Sequence, residues 1–360
     1  MRTITINTMA LQHNLARVRH YAPGRKVLAM LKADAYGHGL LTVAQALKEA
    51  EGFGVADLSE ALQLRAAGFK HVIVVMRGFY DARELPVFAE YDLSAVVHTE
   101  AQIVLLQHTP IAKPISVWLK VDTGMHRLGF AVDKIASAFA RLTACASLQQ
   151  PLCLMTHFAD ANESNPLTTA RQWMQFEQSV RTLPKEAVIE QSLANSAGII
   201  SYPEIDADWV RPGIMLYGAS PFNDYPASDY DLQAVMTLKA RLVSIQEVPC
   251  GAAIGYGGTF ICPKAMRLGI IAYGYGDGYP CLAPTGTPVL VNGQLTRIIG
   301  RISMDLIHID LSDFPEVALD AEVTLWGEGL PIERIAAAVG TLSYELFCHV
   351  QRHRLIKKSE

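Results

Sequence analysis

Paired cysteines, long apolar runs and a strong charge bias are all missing from this 360-residue sequence. No apolar run approaches the ~18 residues of a membrane span, and Met1–Asn7 alternate like a strand, without the apolar core of a signal peptide. The net charge is −4, with no basic stripe. We therefore expect a cytoplasmic protein that binds neither nucleic acid nor membrane.

Several ligand motifs are also missing. The six cysteines include no Cys-x-x-Cys pair, and the 11 histidines show no His-Glu-x-x-His spacing. Disulfides and a metal site are therefore not expected. There is no Walker A run and no Gly-x-Gly-x-x-Gly fingerprint, because the glycine-rich run Tyr273–Tyr279 has the wrong spacing.

Half of the residues are apolar, and short apolar runs alternate with helix-like stretches through the first two thirds of the chain. One such stretch, from Ser59 to Gly68, opens on an apparent N-cap serine and closes on glycine. The candidate strands are Val27–Leu31, Phe53–Ala56, His71–Met76, Leu93–Val97, Ile115–Val121, Leu152–Thr156, Glu190–Leu193 and Trp209–Val210. Eight such alternations predict an α/β fold with a (β/α)₈ TIM-like barrel.

The pattern changes near Asp231, where strand-like runs with frequent glycine and proline begin. Asn292-Gly293 between two such runs indicates a type I′ hairpin, and a late helix is expected at Pro331–Val339. We predict a barrel over residues 1–230 and a mainly β domain over residues 231–360. The first few residues are expected to pair with the second domain.

Lys32 ends the apolar run Val27–Leu31, and the chain then turns through Ala-Asp-Ala-Tyr-Gly-His-Gly. Desolvation at the end of a buried strand favours the neutral amine, which is the form that Schiff-base chemistry requires. A lone lysine here could equally extend into solvent and have no role. Other polar residues also end predicted strands: Lys120, Asp122, His126, Arg127, His157, Asn195, Ser196 and Arg211. In a barrel these ends meet at one rim, where active sites lie.

The Lys32–Gly39 run and several later motifs, as far as Tyr344, resemble the alanine racemase family. The resemblance implies pyridoxal 5′-phosphate as cofactor, held by Lys32 as an aldimine. It further implies that Ser196, Gly213, Ile214, Tyr36 and Tyr344 bind the phosphate and that Asn195 lies beside them. From the residues alone, Asn195-Ser196 could simply cap a helix.

Arg211 matches the position that faces the pyridine nitrogen of the cofactor in this family. Arginine has only donors, so the ring nitrogen would remain unprotonated and the ring would stabilise a carbanion less fully. Rapid reprotonation then favours racemisation over other reactions. The alternative is a structural arginine paired with Asp206 or Asp208.

Racemisation needs a second acid–base group, and Tyr256 between Gly255 and Gly257 is the candidate. A Gly-Tyr-Gly turn without function is the alternative. By resemblance, His157 near Arg211 assists the phenol, and Tyr256 comes from the partner in a head-to-tail homodimer with shared sites. Family positions that contact or confine substrate correspond to Arg127, Met304, Asp305 and Tyr275. Lys120 corresponds to a lysine that is carbamylated in some members.

The sequence therefore predicts an isomerase that interconverts L-alanine and D-alanine by two-base proton transfer on the external aldimine, with Lys32 and Tyr256 as bases. The alternatives are a broad-specificity amino acid racemase, a decarboxylase of the same two-domain plan, and a non-catalytic pyridoxal-phosphate-binding homeostasis protein. Arg211 and Tyr256 oppose the decarboxylase, and the second domain opposes the binding protein. The expected role is D-alanine supply for cell-wall peptidoglycan, although D-alanine breakdown stays open.

Overall fold

The computed structural model describes residues 2–163 and 165–350, and the backbone alone of 356–359. The chain forms two compact units. The first, which we call the barrel unit, comprises Leu15–Ala35 and Gly39–Leu216. The second, which we call the β unit, comprises the chain up to Asn14, Tyr36–His38 and the chain from Tyr217 onward. Among the described residues, no helix is long and apolar enough to cross a membrane.

The strands are β1 (Thr3–Asn7), β2 (Lys26–Met30), β3 (Gly52–Val55), β4 (Val72–Val75), β5 (Ser94–Val97), β6 (Val117–Asp122), β7 (Phe130–Ala131), β8 (Leu152–Met155), β9 (Ile189–Asn195), β10 (Trp209–Arg211), β11 (Met236–Val248), β12 (Ala253–Ile254), β13 (Phe260–Ile261), β14 (Met266–Ile271), β15 (Pro288–Val291), β16 (Gln294–Arg297), β17 (Ile307–Asp310), β18 (Glu322–Trp326) and β19 (Ile356–Ser359). The helices are α1 (Thr8–Tyr21), α2 (Lys32–Tyr36), α3 (Leu40–Ala46), α4 (Leu58–Ala66), α5 (Leu85–Glu90), α6 (Glu100–His108), α7 (Ile135–Thr143), α8 (Leu167–Arg181), α9 (Ser196–Ser201), α10 (Ile332–Val339) and α11 (Ser343–His349).

The barrel unit is a closed parallel sheet. Its strands follow the order β2-β3-β4-β5-β6-β8-β9-β10, and β10 pairs back with β2. The strands are buried nearly end to end because helices cover the outside and side chains fill the inside, as in β3, β5 and β8. The predicted barrel is confirmed, with each expected strand present and its bounds shifted by a few residues at most.

One local prediction in this unit is wrong. Helix α4 begins at Leu58, and its N-cap is Asp57 rather than Ser59. The Asp57 carboxylate accepts hydrogen bonds from the N–H groups of Ser59 and Glu60. Both aspartate and serine are favoured N-caps, and the carboxylate also gains from the positive end of the helix dipole. Because Asp57 and Ser59 are only two positions apart, residue type alone does not indicate which of them is the N-cap.

The β unit contains a mainly antiparallel sheet in the order β16-β15-β18-β11-β1-β19, with β14 on β11 and β17 on β14. Strand β1 lies antiparallel to β11, with Thr3 opposite Lys239. The hairpin β15–β16 turns at Asn292 and Gly293, whose φ values of 47° and 82° give the predicted type I′ geometry. Strand β18 and helix α11 were not predicted.

Candidate active site

The polar residues that end the predicted barrel strands do lie at the carboxyl ends of the observed ones. Lys32 follows β2, Lys120 lies in the last half of β6, and His157 follows β8. Asn195 ends β9, and Arg211 ends β10. Because all of these strands are parallel and closed into a barrel, these side chains belong to one rim. Arg127 is in the exposed loop after β6.

The turn after Lys32 is left-handed. Ala33, Asp34, Ala35 and Tyr36 have φ values of 56°, 52°, 54° and 52°. None is glycine, and the left-handed conformation costs an L-residue roughly 1–2 kcal/mol. Strain of this kind persists only where surrounding contacts fix it, and it concentrates at functional sites. The turn could not be predicted, because alanine and tyrosine disfavour positive φ and a single aspartate, although it tolerates that region, does not indicate four such residues in a row.

Arg211 is buried, with 2% of its surface exposed. Its guanidinium donates to Ser192 Oγ at 2.6 Å, to the Leu193 carbonyl at 3.0 Å and to the Thr156 carbonyl. One Nη also lies 3.3 Å from His157 Nδ1. Burial lowers the pKa of Arg211 to about 10, so the group remains a cation at neutral pH. Its acceptors are all neutral.

The alternative partners considered for Arg211 are occupied elsewhere. Asp206 forms an ion pair with Arg25, and Asp208 accepts a hydrogen bond from the Gln191 N–H at 2.8 Å. Within the described part of the chain, no carboxylate hydrogen-bonds or ion-pairs with Arg211. The charge of Arg211 is therefore available to an acceptor that this chain does not itself provide.

His157 is held neutral. Burial lowers its pKa well below the ordinary value, and the charges of Arg211 and Lys120 lower it further. Because Arg211 has no lone pair to offer, His157 Nδ1 must be the acceptor in their contact. The proton of the neutral ring then sits on Nε2, which is free to donate in another direction.

Lys120 is a rim lysine whose pKa lies well below the ordinary value. Burial lowers its pKa to about 7, and the charges of Arg211, Arg127 and Lys32 add to the shift. The carboxylate of Asp122 acts in the opposite sense and has the smallest effect. A cluster of four basic side chains with so little opposing charge is suited to an anion. It also leaves a large share of Lys120 as the free amine at neutral pH.

A buried network that the sequence analysis missed supports this rim. Gln172 in α8 donates to Thr123 Oγ1 at 3.3 Å and to the His157 carbonyl at 3.1 Å. Its amide oxygen accepts from the Ala159 N–H at 2.8 Å, and Thr123 shares a 2.7 Å hydrogen bond with Thr156. The sequence contains only one sign of this network, which is that Gln172 lies on the apolar face of a helix.

Polar N–H and O–H groups gather where β9 and β10 end. Ser196 Oγ accepts from the Gly213 N–H at 2.8 Å, which brings the two loops together. Asn195 caps α9 by accepting from the Gly198 N–H at 2.9 Å, so the capping interpretation holds. Ile214 begins a 3₁₀ turn, whose first N–H groups have no acceptor within the turn.

In the β unit, Tyr36 and Tyr344 lie together, with ring centroids 5.9 Å apart. Tyr36 also stacks on Tyr217 at 4.7 Å, a contact that the sequence did not suggest. Burial raises the pKa of Tyr36, so its hydroxyl stays protonated and can donate. Gly37 is required beside it, because a Cβ there would lie 2.2 Å from the Phe347 carbonyl oxygen.

Tyr256 is 70% exposed on a turn whose flanking Gly255 and Gly257 have φ values of 68° and 72°. The turn lies beside Arg301, since a Cβ on Gly257 would stand 3.3 Å from its Nη1. Arg301 was not singled out from the sequence.

The structure also brings Tyr275 next to Met304 and Asp305. The Tyr275 N–H donates to the Ser303 carbonyl at 3.1 Å, and the Gly276 N–H donates to the Met304 carbonyl at 2.7 Å. A Cβ on Gly274 would lie 2.4 Å from the Asp305 nitrogen, so glycine permits this close approach of the two loops. Tyr275 and Met304 both remain exposed to solvent.

Comparisons with known proteins agree across the chain. Residues 6–221 match the family model for the alanine racemase N-terminal domain, and residues 235–357 match that for the C-terminal domain. An alanine racemase of Aeromonas hydrophila is 47% identical over 95% of this chain and 94% of its own length.

Two solved structures are similar throughout. The biosynthetic alanine racemase of Pseudomonas aeruginosa has a TM-score of 0.95 and 39% identity over 100% of this chain and 99% of its own. The alanine racemase of Bartonella henselae, with covalently bound pyridoxal phosphate, has a TM-score of 0.89 and 26% identity over 99% of each chain.

Proposed function

This chain belongs to the alanine racemase family of isomerases, and on that premise we propose that it interconverts L-alanine and D-alanine with pyridoxal phosphate as cofactor. The observation that carries the proposal is the burial of Arg211 together with the neutral character of its hydrogen-bond acceptors. A buried guanidinium with only neutral acceptors, at the rim that also holds Lys32, has the chemistry of a donor to a pyridine nitrogen.

The residues present fit the cofactor. Lys32 would hold it covalently, and the Ser196 hydroxyl with the Gly213 and Ile214 loop would face its phosphate. Tyr36 stays protonated and would donate to the same phosphate. Pyridoxal phosphate, when bound, supplies an electron sink that acidifies the Cα–H bond of an attached amino acid.

Lys32 and Tyr256 move the proton in this proposal. The Lys32 amine takes or returns the Cα proton on one face of the substrate, and the phenol of Tyr256 serves the other face. Tyr256 would come from the partner subunit of a head-to-tail homodimer. Tyr256 and Met304 of the β unit are exposed, so both side chains are accessible to a partner subunit.

His157 and Arg211 would then stabilise Tyr256 as a base. A neutral His157 with its proton on Nε2 can donate to a phenolate oxygen, and Arg211 fixes the ring orientation through Nδ1. Donation to the charged form lowers the pKa of a phenol, as base work near neutral pH requires.

We assign substrate selection to Arg127 and to three residues of the β unit. Arg127 would pair with the α-carboxylate of alanine, a contact in which arginine offers two parallel N–H donors. Met304, Asp305 and Tyr275, which the structure places together, would confine the side chain to a methyl group, with Tyr344 at the entrance. A broad-specificity racemase would need this confinement relaxed.

We also assign a carbamate to Lys120. Carbon dioxide adds to the neutral amine, and a pKa of about 7 makes that form abundant at neutral pH. The resulting anion would replace one cation of the cluster and pair with Arg127. Intact mass of the native protein, with and without bicarbonate, should show one carbon dioxide added and lost again on acidification. An intact mass of the native protein that is the same with and without bicarbonate, and that matches the unmodified chain, would remove this assignment.

The decisive experiment follows optical rotation after pyridoxal-phosphate-loaded protein is mixed with L-alanine, and separately with D-alanine. Both solutions should converge to zero rotation, and L-serine should change far more slowly. Borohydride reduction followed by peptide mapping should locate the cofactor on Lys32. If the cofactor is on Lys32 and neither enantiomer changes, the protein binds the cofactor without racemising alanine.

A further inference from the structure

Glu60 ties two neighbouring rim loops together through one carboxylate. It lies in the first turn of α4, where Oε2 accepts from the Ala56 N–H at 2.7 Å. Its other oxygen, Oε1, accepts from the Asp34 N–H at 3.0 Å. Ala56 directly follows β3, and Asp34 is in the left-handed turn after β2. The carboxylate therefore joins the carboxyl ends of two adjacent barrel strands.

This contact differs from ordinary helix capping. Asp57 is the N-cap of α4, which makes Glu60 the third helical residue. In a capping box that glutamate would accept from the N–H of the N-cap residue. Here it accepts from the residue before the cap and from Asp34, which lies 26 positions earlier in the chain. The Glu60 carboxylate therefore stabilises the turn after β2 as well as the start of α4.

Asp34 secures the other side of the same turn. Its Oδ1 accepts from the Leu40 N–H at 2.7 Å, and its carbonyl accepts from the Gly39 N–H at 2.9 Å. Asp34, in the middle of the left-handed backbone of Ala33–Tyr36, is therefore fixed twice. Its N–H group donates to Glu60, and its oxygens accept from the residues that follow the turn. A strained conformation of non-glycine residues depends on such contacts to remain the populated one.

We propose that Glu60 is a positioning residue, which holds the left-handed turn and thereby fixes Lys32 at the rim. The inference rests on the proposed function only in taking Lys32 as the lysine that carries the cofactor. Glu60 itself touches neither substrate nor cofactor in this scheme. It acts through the backbone, by keeping the lysine at one orientation relative to β2 and β3.

The first test needs no cofactor. In Glu60→Gln the side-chain amide nitrogen cannot accept, so one of the two N–H groups loses its partner. Hydrogen exchange of the cofactor-free protein, followed by mass spectrometry, should become about tenfold faster in the peptide covering residues 31–40. Glu177→Gln is the matched control, since Glu177 is half-buried in α8 and its carboxylate accepts no hydrogen bond within the described residues. Unchanged exchange at residues 31–40 in Glu60→Gln would overturn the proposal.

The second test measures the lysine. Borohydride trapping of pyridoxal phosphate on Lys32 should require about tenfold more cofactor in Glu60→Gln than in Glu177→Gln. Equal trapping, despite faster exchange of the turn, would make Glu60 purely structural and contradict the positioning role. If Glu60→Gln fails to fold, Glu60→Asp retains the charge but is too short to reach both N–H groups, and the same ordering is expected. If wild-type protein traps cofactor yet racemises nothing, the proposed function fails while both readouts still report on Glu60.

Discussion

At the scale of single residues, the two proposed bases should be separable by isotope exchange. Tyr256→Phe removes the phenolic proton carrier and leaves Lys32 and the cofactor contacts intact. Exchange of the Cα hydrogen of L-alanine with deuterated solvent should fall at least about a hundredfold. Exchange from D-alanine should persist, since we assign Lys32 to the face that holds the Cα hydrogen of D-alanine and Tyr256 to the face that holds that of L-alanine.

Net racemisation must fall equally from both sides in this variant, because the equilibrium constant between enantiomers is one. Mass spectrometry of recovered alanine measures the exchange directly. Equal loss of exchange from the two enantiomers would contradict an assignment of one base to each face.

Lys120 makes a second prediction, on stability. Its pKa is about 7 in the folded protein and 10.5 in an ordinary environment, so between these pH values the unfolded chain binds the extra proton. The free energy of unfolding of the cofactor-free protein should therefore rise with pH in this window, by up to about 1.4 kcal/mol per pH unit from this group. Below pH 7 both states are protonated and the slope vanishes.

Denaturant titrations at pH 7.5 and 9, in buffer free of carbon dioxide, test this slope. Lys120→Met removes the titrating amine and keeps the apolar stem, so the difference between variant and wild type isolates the contribution. If the free energy of unfolding changes with pH in the same way in both proteins, the pKa of Lys120 is not lowered in the folded state.

At the scale of elements, the left-handed turn predicts an unusual response to glycine. Ala33 is exposed with φ of 56°, so Ala33→Gly should raise the free energy of unfolding by about 1 kcal/mol. Ala140 is exposed in the ordinary helix α7, and Ala140→Gly should lower it by a similar amount. Thermal unfolding of both variants gives the comparison. Destabilisation by both changes would show that the turn is not strained.

The same turn marks the limit of sequence-based prediction. The barrel strands could be predicted because buried parallel strands are nearly continuous apolar runs, as Leu152–Met155 shows. The turn could not, since three of its four residues, two alanines and a tyrosine, disfavour left-handed backbone and only Asp34 tolerates it. Strand β18 was missed because it is only five residues long and follows a turn-rich segment, although its Glu-Val-Thr-Leu stretch alternates. The sequence identified Arg211 by its residue type, but its acceptors come from two separate segments, β9 and the residues after β8, which only the closed barrel brings together.

At the scale of the whole molecule, shared active sites predict complementation. Lys32→Ala and Tyr256→Phe should each have little activity alone. If each site combines Lys32 of one subunit with Tyr256 of the other, a mixed dimer has one intact site. Random reassortment of equal amounts should restore about a quarter of the wild-type activity.

The complementation assay needs both variants refolded or coexpressed together, with each variant refolded alone as its control. A mixture no more active than the two proteins measured separately would place both bases in one subunit. Size-exclusion chromatography with light scattering would establish the dimer independently.

The pairing of β1 with β11 has a consequence for how the chain is made. Thr3 finds its partner only when Lys239 has left the ribosome, on the order of tens of seconds later. Through that interval the edge of β1 that β11 later covers has no partner strand. Exposed edges of this kind attract other chains. Strand β1 therefore needs protection from other chains during synthesis until β11 pairs with it.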